Sequence, residues 1–121
     1  MSKRILVVED HEENRRIVRD LLTASGYEMI EALTGEDGVR LAESERPDLI
    51  LMDIQLPGID GYETTRRIKG NPALRHIPII AVTSYALSGD DQKAFQSGCD
   101  AYVAKPFSPR ELLAKIRQYV G

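Results

Sequence analysis

The segment RILVVED, residues 4–10, decides the fold. Four apolar residues, Ile5, Leu6, Val7 and Val8, run directly into two carboxylates, Glu9 and Asp10. A strand with one wet face alternates apolar and polar positions, so an unbroken apolar run predicts a strand buried on both faces. Further strand-like runs rich in Ile, Val and Leu lie at 27–31, 49–52, 77–82 and 101–104. Helix-like segments separate them. The first carries Ile17, Val18, Leu21 and Leu22 at the spacing of one buried face, and the last repeats it with Leu112, Leu113, Ile116, Tyr119 and Val120.

Helix boundaries are marked chemically. Asp60 with Glu63, Ser88 with Asp91, and Ser108 with Pro109 and Glu111 each set a capping acceptor ahead of an acid. Gly26 follows the first helix and Pro47 closes the second. A strand-helix alternation repeated five times, with strands apolar on both faces, predicts a doubly wound α/β domain: a five-stranded parallel sheet between two layers of helices. Right-handed crossovers then carry every strand-to-helix loop to one edge of the sheet, where ligands bind.

Composition narrows the function. A chain of 121 residues suits one domain spanning 1–121. No apolar stretch is long enough to cross a bilayer. The basic start MSKR resembles a secretory signal, but Glu9 and Asp10 end the apolar segment too soon, so a cytoplasmic protein is expected. Cys99 is the single cysteine, consistent with a reducing compartment and with a small apolar filler. A net charge of −3 gives no support to nucleic-acid binding, leaving a protein or small molecule as partner.

The polar residues that end the strands carry the chemistry. Glu9 and Asp10 follow the first run, Asp53 the third, Thr83 the fourth and Lys105 the fifth. Each has a bland reading: helix-start acids for Glu9 and Asp10, a turn residue for Asp53, a β-former for Thr83, a solvated charge for Lys105. Their joint placement at one edge favours a site. Carboxylates crowded in a partly dry pocket repel one another unless a cation neutralises them, and oxygen ligands suit Mg2+. Thr83 and Lys105 can then meet phosphate oxygens, and Asp53 can act as nucleophile toward phosphorus. Glu12, Glu13, Asp90 and Asp91 read as helix-end acids. His11 and His76 have no second His or Cys at ligand spacing and read as surface residues.

Four stretches, ILVVEDHEENR, PDLILMDIQLPGIDGYE, IPIIAVTSYA and GCDAYVAKPF, resemble the receiver domains of bacterial response regulators in two-component signalling. The resemblance covers the whole chain. It implies a flavodoxin-like sheet in the order 2-1-3-4-5. It also implies that Asp53 is phosphorylated, that Asp10 binds magnesium directly and Glu9 through water, and that Gln55 offers its backbone carbonyl. Thr83 resembles the hydroxyl that meets the phosphoryl group, Lys105 the ammonium paired with it, and Tyr102 the switch aromatic, against the plainer reading of a core ring. Pro106 is expected after a cis peptide bond. Gln55 and Tyr85, both bulky, occupy positions that tune the lifetime of the phosphoryl group and suggest slow self-dephosphorylation.

The same resemblance names the partners: a sensor histidine kinase or histidine phosphotransfer protein as donor, docking near the first helix and the loop after the fifth strand, and a downstream protein target on a surface of the fourth helix, fifth strand and fifth helix. The fourth helix, with few apolar residues beyond Ala94 and Phe95, suits a movable element. Neither direct nucleic-acid contact nor a membrane is implied, and the chain is expected to be a monomer or weak dimer. It is similar to stand-alone cell-cycle and polarity regulators and to the chemotaxis type; a receiver module of a larger hybrid kinase is the alternative. A phosphatase with an aspartate nucleophile is disfavoured because Gln55 stands where a second acid is needed. A flavin carrier is disfavoured because EDHEE repels phosphate.

Overall fold

The computed structural model describes residues 2–83 and 90–120. Tyr85 and the Ser88 cap lie outside them. Strands and helices alternate along the chain: β1 (Arg4–Val8), α1 (Glu12–Ala24), β2 (Glu28–Ala32), α2 (Gly35–Glu45), β3 (Leu49–Asp53), α3 (Gly61–Lys69), β4 (Ile79–Thr83), α4 (Asp90–Ser97), β5 (Ala101–Ala104) and α5 (Pro109–Val120). All neighbouring strands pair in parallel, in the order β2-β1-β3-β4-β5. Among the described residues no helix is long and apolar enough to cross a membrane.

Alternate residues of each central strand feed two separate cores. Ile5 and Val7 of β1 join Leu49 and Leu51 of β3, and they pack against Val18 and Leu22 of α1 and Leu112 and Ile116 of α5. Leu6 and Val8, with Ile50 and Met52, pack instead against Ala42 of α2, Ile68 of α3 and Ala94 of α4. Burial on both faces is why these strands are apolar at every position between Arg4 at the start of β1 and Asp53 at the end of β3.

Local signals operate as their chemistry dictates. Asp60 accepts the Glu63 N–H at 2.9 Å and Ser108 the Glu111 N–H at 3.0 Å, which caps α3 and α5. Gly26 has φ +85°, the left-handed turn past the end of α1 that glycine adopts without a Cβ penalty.

Three strands and the packing faces of α1 and α5 differ from the sequence reading. The second strand begins and ends one residue later, at Glu28 and Ala32. The fourth begins at Ile79: Ile77 is still in a turn, its N–H bonded to the Leu74 carbonyl, while the Asp100 carboxylate accepts the Ile79 N–H. The third strand runs one residue further, to include Asp53. In α1 the buried residues are Arg15, Val18 and Leu22, whereas Ile17 is 57% exposed. At 100° per residue, positions 15, 18 and 22 point to the sheet and position 17 turns to its flank. Tyr119 of α5 is likewise exposed, its hydroxyl donating to the Asp100 carbonyl at 3.0 Å. Phe95 of α4 is also exposed, while Ala94 is buried. His11 and His76 are exposed. Cys99 is buried, within 3.7 Å of the Thr65 hydroxyl, and burial pushes its thiol pKa up.

Candidate active site

The carboxyl ends of β1, β3, β4 and β5 lie side by side, which brings together residues far apart in sequence. Asp53 ends β3 and is 4% exposed; Glu9 follows β1 and is 5% exposed. Between them stands the Lys105 ammonium, 3.4 Å from Asp53 Oδ1 and 3.2 Å from Glu9 Oε1. Lys105 precedes a cis peptide bond to Pro106, and its N–H donates to the Thr83 carbonyl at 2.7 Å, tying the end of β5 to the end of β4. Thr83 is fully buried at the end of β4. The exposed Gln55 brings its backbone N–H to Asp53 Oδ1 at 3.2 Å. Tyr102 is half-buried on β5, against the core shared by α2, α3 and α4.

A close backbone approach shapes the floor. A Cβ on Gly61 would fall 2.3 Å from the Asp53 carbonyl oxygen and 2.6 Å from the Ile54 Cα, so only glycine lets α3 start this near the end of β3. The Gly61 N–H donates to the Ile54 carbonyl at 2.9 Å and pins the turn.

Two residues of α1 complete the acidic corner, and the sequence reading passed over both. Asn14 donates from Nδ2 to Glu9 Oε1 at 3.3 Å. Arg15, 7% exposed, donates from Nη1 to the Glu9 carbonyl at 2.9 Å, pairs with Glu31 of β2 at 3.2 Å and also meets Glu12. The Glu9 N–H donates to the Ala32 carbonyl at 3.0 Å. Glu9 is therefore held at its N–H, its C=O and both carboxylate oxygens. The signal was legible: an arginine three and seven residues before Val18 and Leu22, on the buried face and next to acids, marks a buried ion-pair network.

Electrostatics follow from this crowding. Burial, reinforced by the Glu9 charge and opposed by Lys105, raises the Asp53 pKa from 3.8 to about 6. Burial also works to raise Glu9, but the His11 backbone N–H and the Lys105 charge outweigh it and hold Glu9 below its ordinary value. Asp10 Oδ1 is buried with no hydrogen-bond partner. Three carboxylates set against one ammonium, one of them destabilised in its charged form and another with an unsatisfied buried oxygen, fit a hard divalent cation such as Mg2+.

On the side facing α1 and α5 the site opens into a crevice of about 410 Å3, bordered by Ile17, Val18, Asp53, Lys105, Pro106 and Phe107. The exposed flank of Ile17 is thus the wall of an apolar approach to Asp53.

Comparison with known proteins agrees with this architecture. The family described as response regulator receiver domain matches residues 5–117. The polar-differentiation response regulator DivK of Brucella anthropi is 48% identical over 121 residues, spanning 100% of this chain and 98% of that protein. Its counterpart in Brucella ovis is 47% identical over the same span. Among solved structures, the receiver domain of a sensor histidine kinase from Pseudomonas aeruginosa PAO1, which has a magnesium ion coordinated in its active site cleft, is 40% identical with a TM-score of 0.94, covering 100% of this chain and 99% of that one. A CheY-like receiver domain protein from Methanospirillum hungatei JF-1 is 34% identical with a TM-score of 0.90, covering 98% and 93%. With the match running from the first strand into the last helix, the chain belongs to the response regulator receiver domains of two-component signal transduction.

Proposed function

We propose that the chain is the phosphoacceptor of a two-component phosphorelay, with Asp53 as the residue phosphorylated. The observation that carries this reading is the Lys105 ammonium, shared between the buried carboxylates of Asp53 and Glu9 at the edge of the sheet. Phosphoryl transfer asks little of a protein beyond an aligned acceptor and positive charge around the transferring oxygens. One oxygen of the Asp53 carboxylate attacks phosphorus, the P–N bond of a donor phosphohistidine breaks, and the nitrogen leaves with its electron pair. The product is an acyl phosphate on Asp53.

Magnesium is the cofactor of this reading: Asp10 and Asp53 would hold it directly, Glu9 through water and Gln55 through its carbonyl. When bound, it supplies charge neutralisation for the phosphoryl oxygens. Lys105 leaves its two carboxylates to pair with the phosphoryl group, and the Thr83 hydroxyl turns to meet it. Tyr102 follows Thr83, and the surface of α4, β5 and α5, where Phe95 and Tyr119 are exposed, changes shape for a target protein. The donor is a sensor histidine kinase or a histidine phosphotransfer protein. Its docking site is the apolar crevice beside Asp53, with Ile17 and Phe107 on its walls. Gln55, exposed at the mouth, slows attack by water and extends the life of the phosphoryl group.

The test is phosphorylation by acetyl phosphate with magnesium, read by intact mass. One phosphoryl group is expected on the natural chain and none on Asp53→Asn. Phosphorylation that persists in Asp53→Asn, or its absence from the natural chain, refutes the reading.

A further inference from the structure

The acidic corner contains a nitrogen that an all-oxygen magnesium pocket does not need. Glu9, Asp10 and His11 each offer a ligand atom, and all of these lie within 4.8 Å of one another. His11 Nδ1 is 3.2 Å from Asp10 Oδ1 and 3.4 Å from Glu9 Oε2. The backbone of His11 holds its ring there: its N–H donates to Glu9 Oε2 at 3.2 Å, and its carbonyl accepts the Arg15 N–H at 3.0 Å as α1 begins. The ring nitrogen is hydrogen-bonded to Glu9 Oε2 at 3.4 Å, while Asp10 Oδ1, as near to it, is buried and has no hydrogen-bond partner.

These separations match a coordination edge. With metal-ligand bonds of about 2.1 Å, neighbouring ligands of an octahedron lie about 3.0 Å apart. The His11–Asp10 distance exceeds that by a few tenths of an ångström, within reach of a side chain whose ring is largely exposed. Ligand type then sets preference: carboxylate and carbonyl oxygen suit magnesium, whereas imidazole suits nickel, zinc and iron.

We propose that His11 supplies a nitrogen ligand to the divalent-cation site beside Asp53, so that this chain favours first-row transition-metal ions over magnesium more than an all-oxygen pocket does. The proposal rests on the reading of this corner as a cation site. It makes His11 a specificity-determining residue for the metal, with Asp10 as its neighbour in the coordination shell and Glu9 behind a bound water.

Manganese is the spectroscopic probe. In pulsed electron paramagnetic resonance of the full chain with less than one equivalent of Mn2+, the natural protein is expected to show 14N modulation from a directly bound imidazole. His11→Asn is expected to bind Mn2+ without it. By calorimetry, the ratio of Ni2+ to Mg2+ affinity is expected to fall about tenfold or more in His11→Asn. Mn2+ bound to both proteins without 14N modulation, modulation that survives in His11→Asn, or an unchanged Ni2+ to Mg2+ ratio each overturns the assignment of His11 and leaves the cation site standing. Failure of the natural chain to bind either Mg2+ or Mn2+ overturns the cation site itself, and the proposal with it.

Discussion

Replacing Asp53 by Asn should stabilise the metal-free protein, although it removes a buried ion pair. Asp53 is 4% exposed, and its carboxyl titrates near 6 in the fold against 3.8 in an unfolded chain. A carboxyl with a raised folded pKa favours the fold fully below its unfolded value and loses that contribution as pH rises through the folded value. Above pH 6 the natural chain therefore carries a penalty of about 1.4 kcal/mol per unit of difference, or about 3 kcal/mol. Asparagine keeps the shape and an oxygen for the Gln55 N–H but never ionises. The expected gain of Asp53→Asn is about 3 kcal/mol at pH 7.5, about 2 kcal/mol at pH 5 and under about 1 kcal/mol at pH 4. Lys105 retains Glu9 at 3.2 Å, so its charge is not stranded.

The assay is urea unfolding of both proteins in EDTA at those three pH values, read by far-ultraviolet circular dichroism. In melting temperature the gain at pH 7.5 is on the order of 10 °C for a chain of this length. Magnesium should narrow the gap, because an ion that binds the folded natural chain stabilises it by mass action. An Asp53→Asn protein no more stable than the natural one at pH 7.5 without metal, or a gain that grows toward pH 4, would refute the electrostatic account of this pocket.

Other perturbations probe the supports of the site. Gly61→Ala forces a Cβ to within 2.3 Å of the Asp53 carbonyl, so the backbone must yield, with a loss of about 2–3 kcal/mol in urea unfolding and slower acetyl-phosphate labelling. Arg15→Met takes the side-chain donor from the Glu9 carbonyl, at about 1–3 kcal/mol in urea unfolding, while Glu31 keeps its pair with Arg19, so adding Glu31→Gln should recover none of that loss in a double-mutant cycle. Ser108→Ala removes the acceptor of the Glu111 N–H and should lower stability by about 1 kcal/mol while leaving labelling of Asp53 intact.

How far a residue could be read in advance depended on the range of the force that places it. Ser108 and Asp60 were legible as caps because a capping hydroxyl or carboxylate acts on an N–H three residues away. An apolar count misplaces Ile17 and overlooks Arg15, for a shared reason. An apolar count along α1 favours Ile17, but the face that meets the sheet is the one from which Arg15 reaches Glu9, Glu12 and Glu31, partners that satisfy a guanidinium taken out of water. The side chain of Ile77 alone suggests β4. Its N–H is instead claimed by Leu74, and a strand cannot begin until the ladder is free to form.

By itself the sequence determined the alternation of strands and helices, the burial of β1, β3 and β4 on both faces, and the polar residues at which the strands end. Hydrophobic period and capping chemistry are local, and they act before any tertiary contact exists. Which strands become neighbours, and hence that Lys105 stands 3.2 Å from Glu9 across 96 positions of chain, was decided only by the tertiary structure. So was the raised pKa of Asp53: it depends on the distance to other charges and on exclusion of water, and neither quantity exists until the chain has folded.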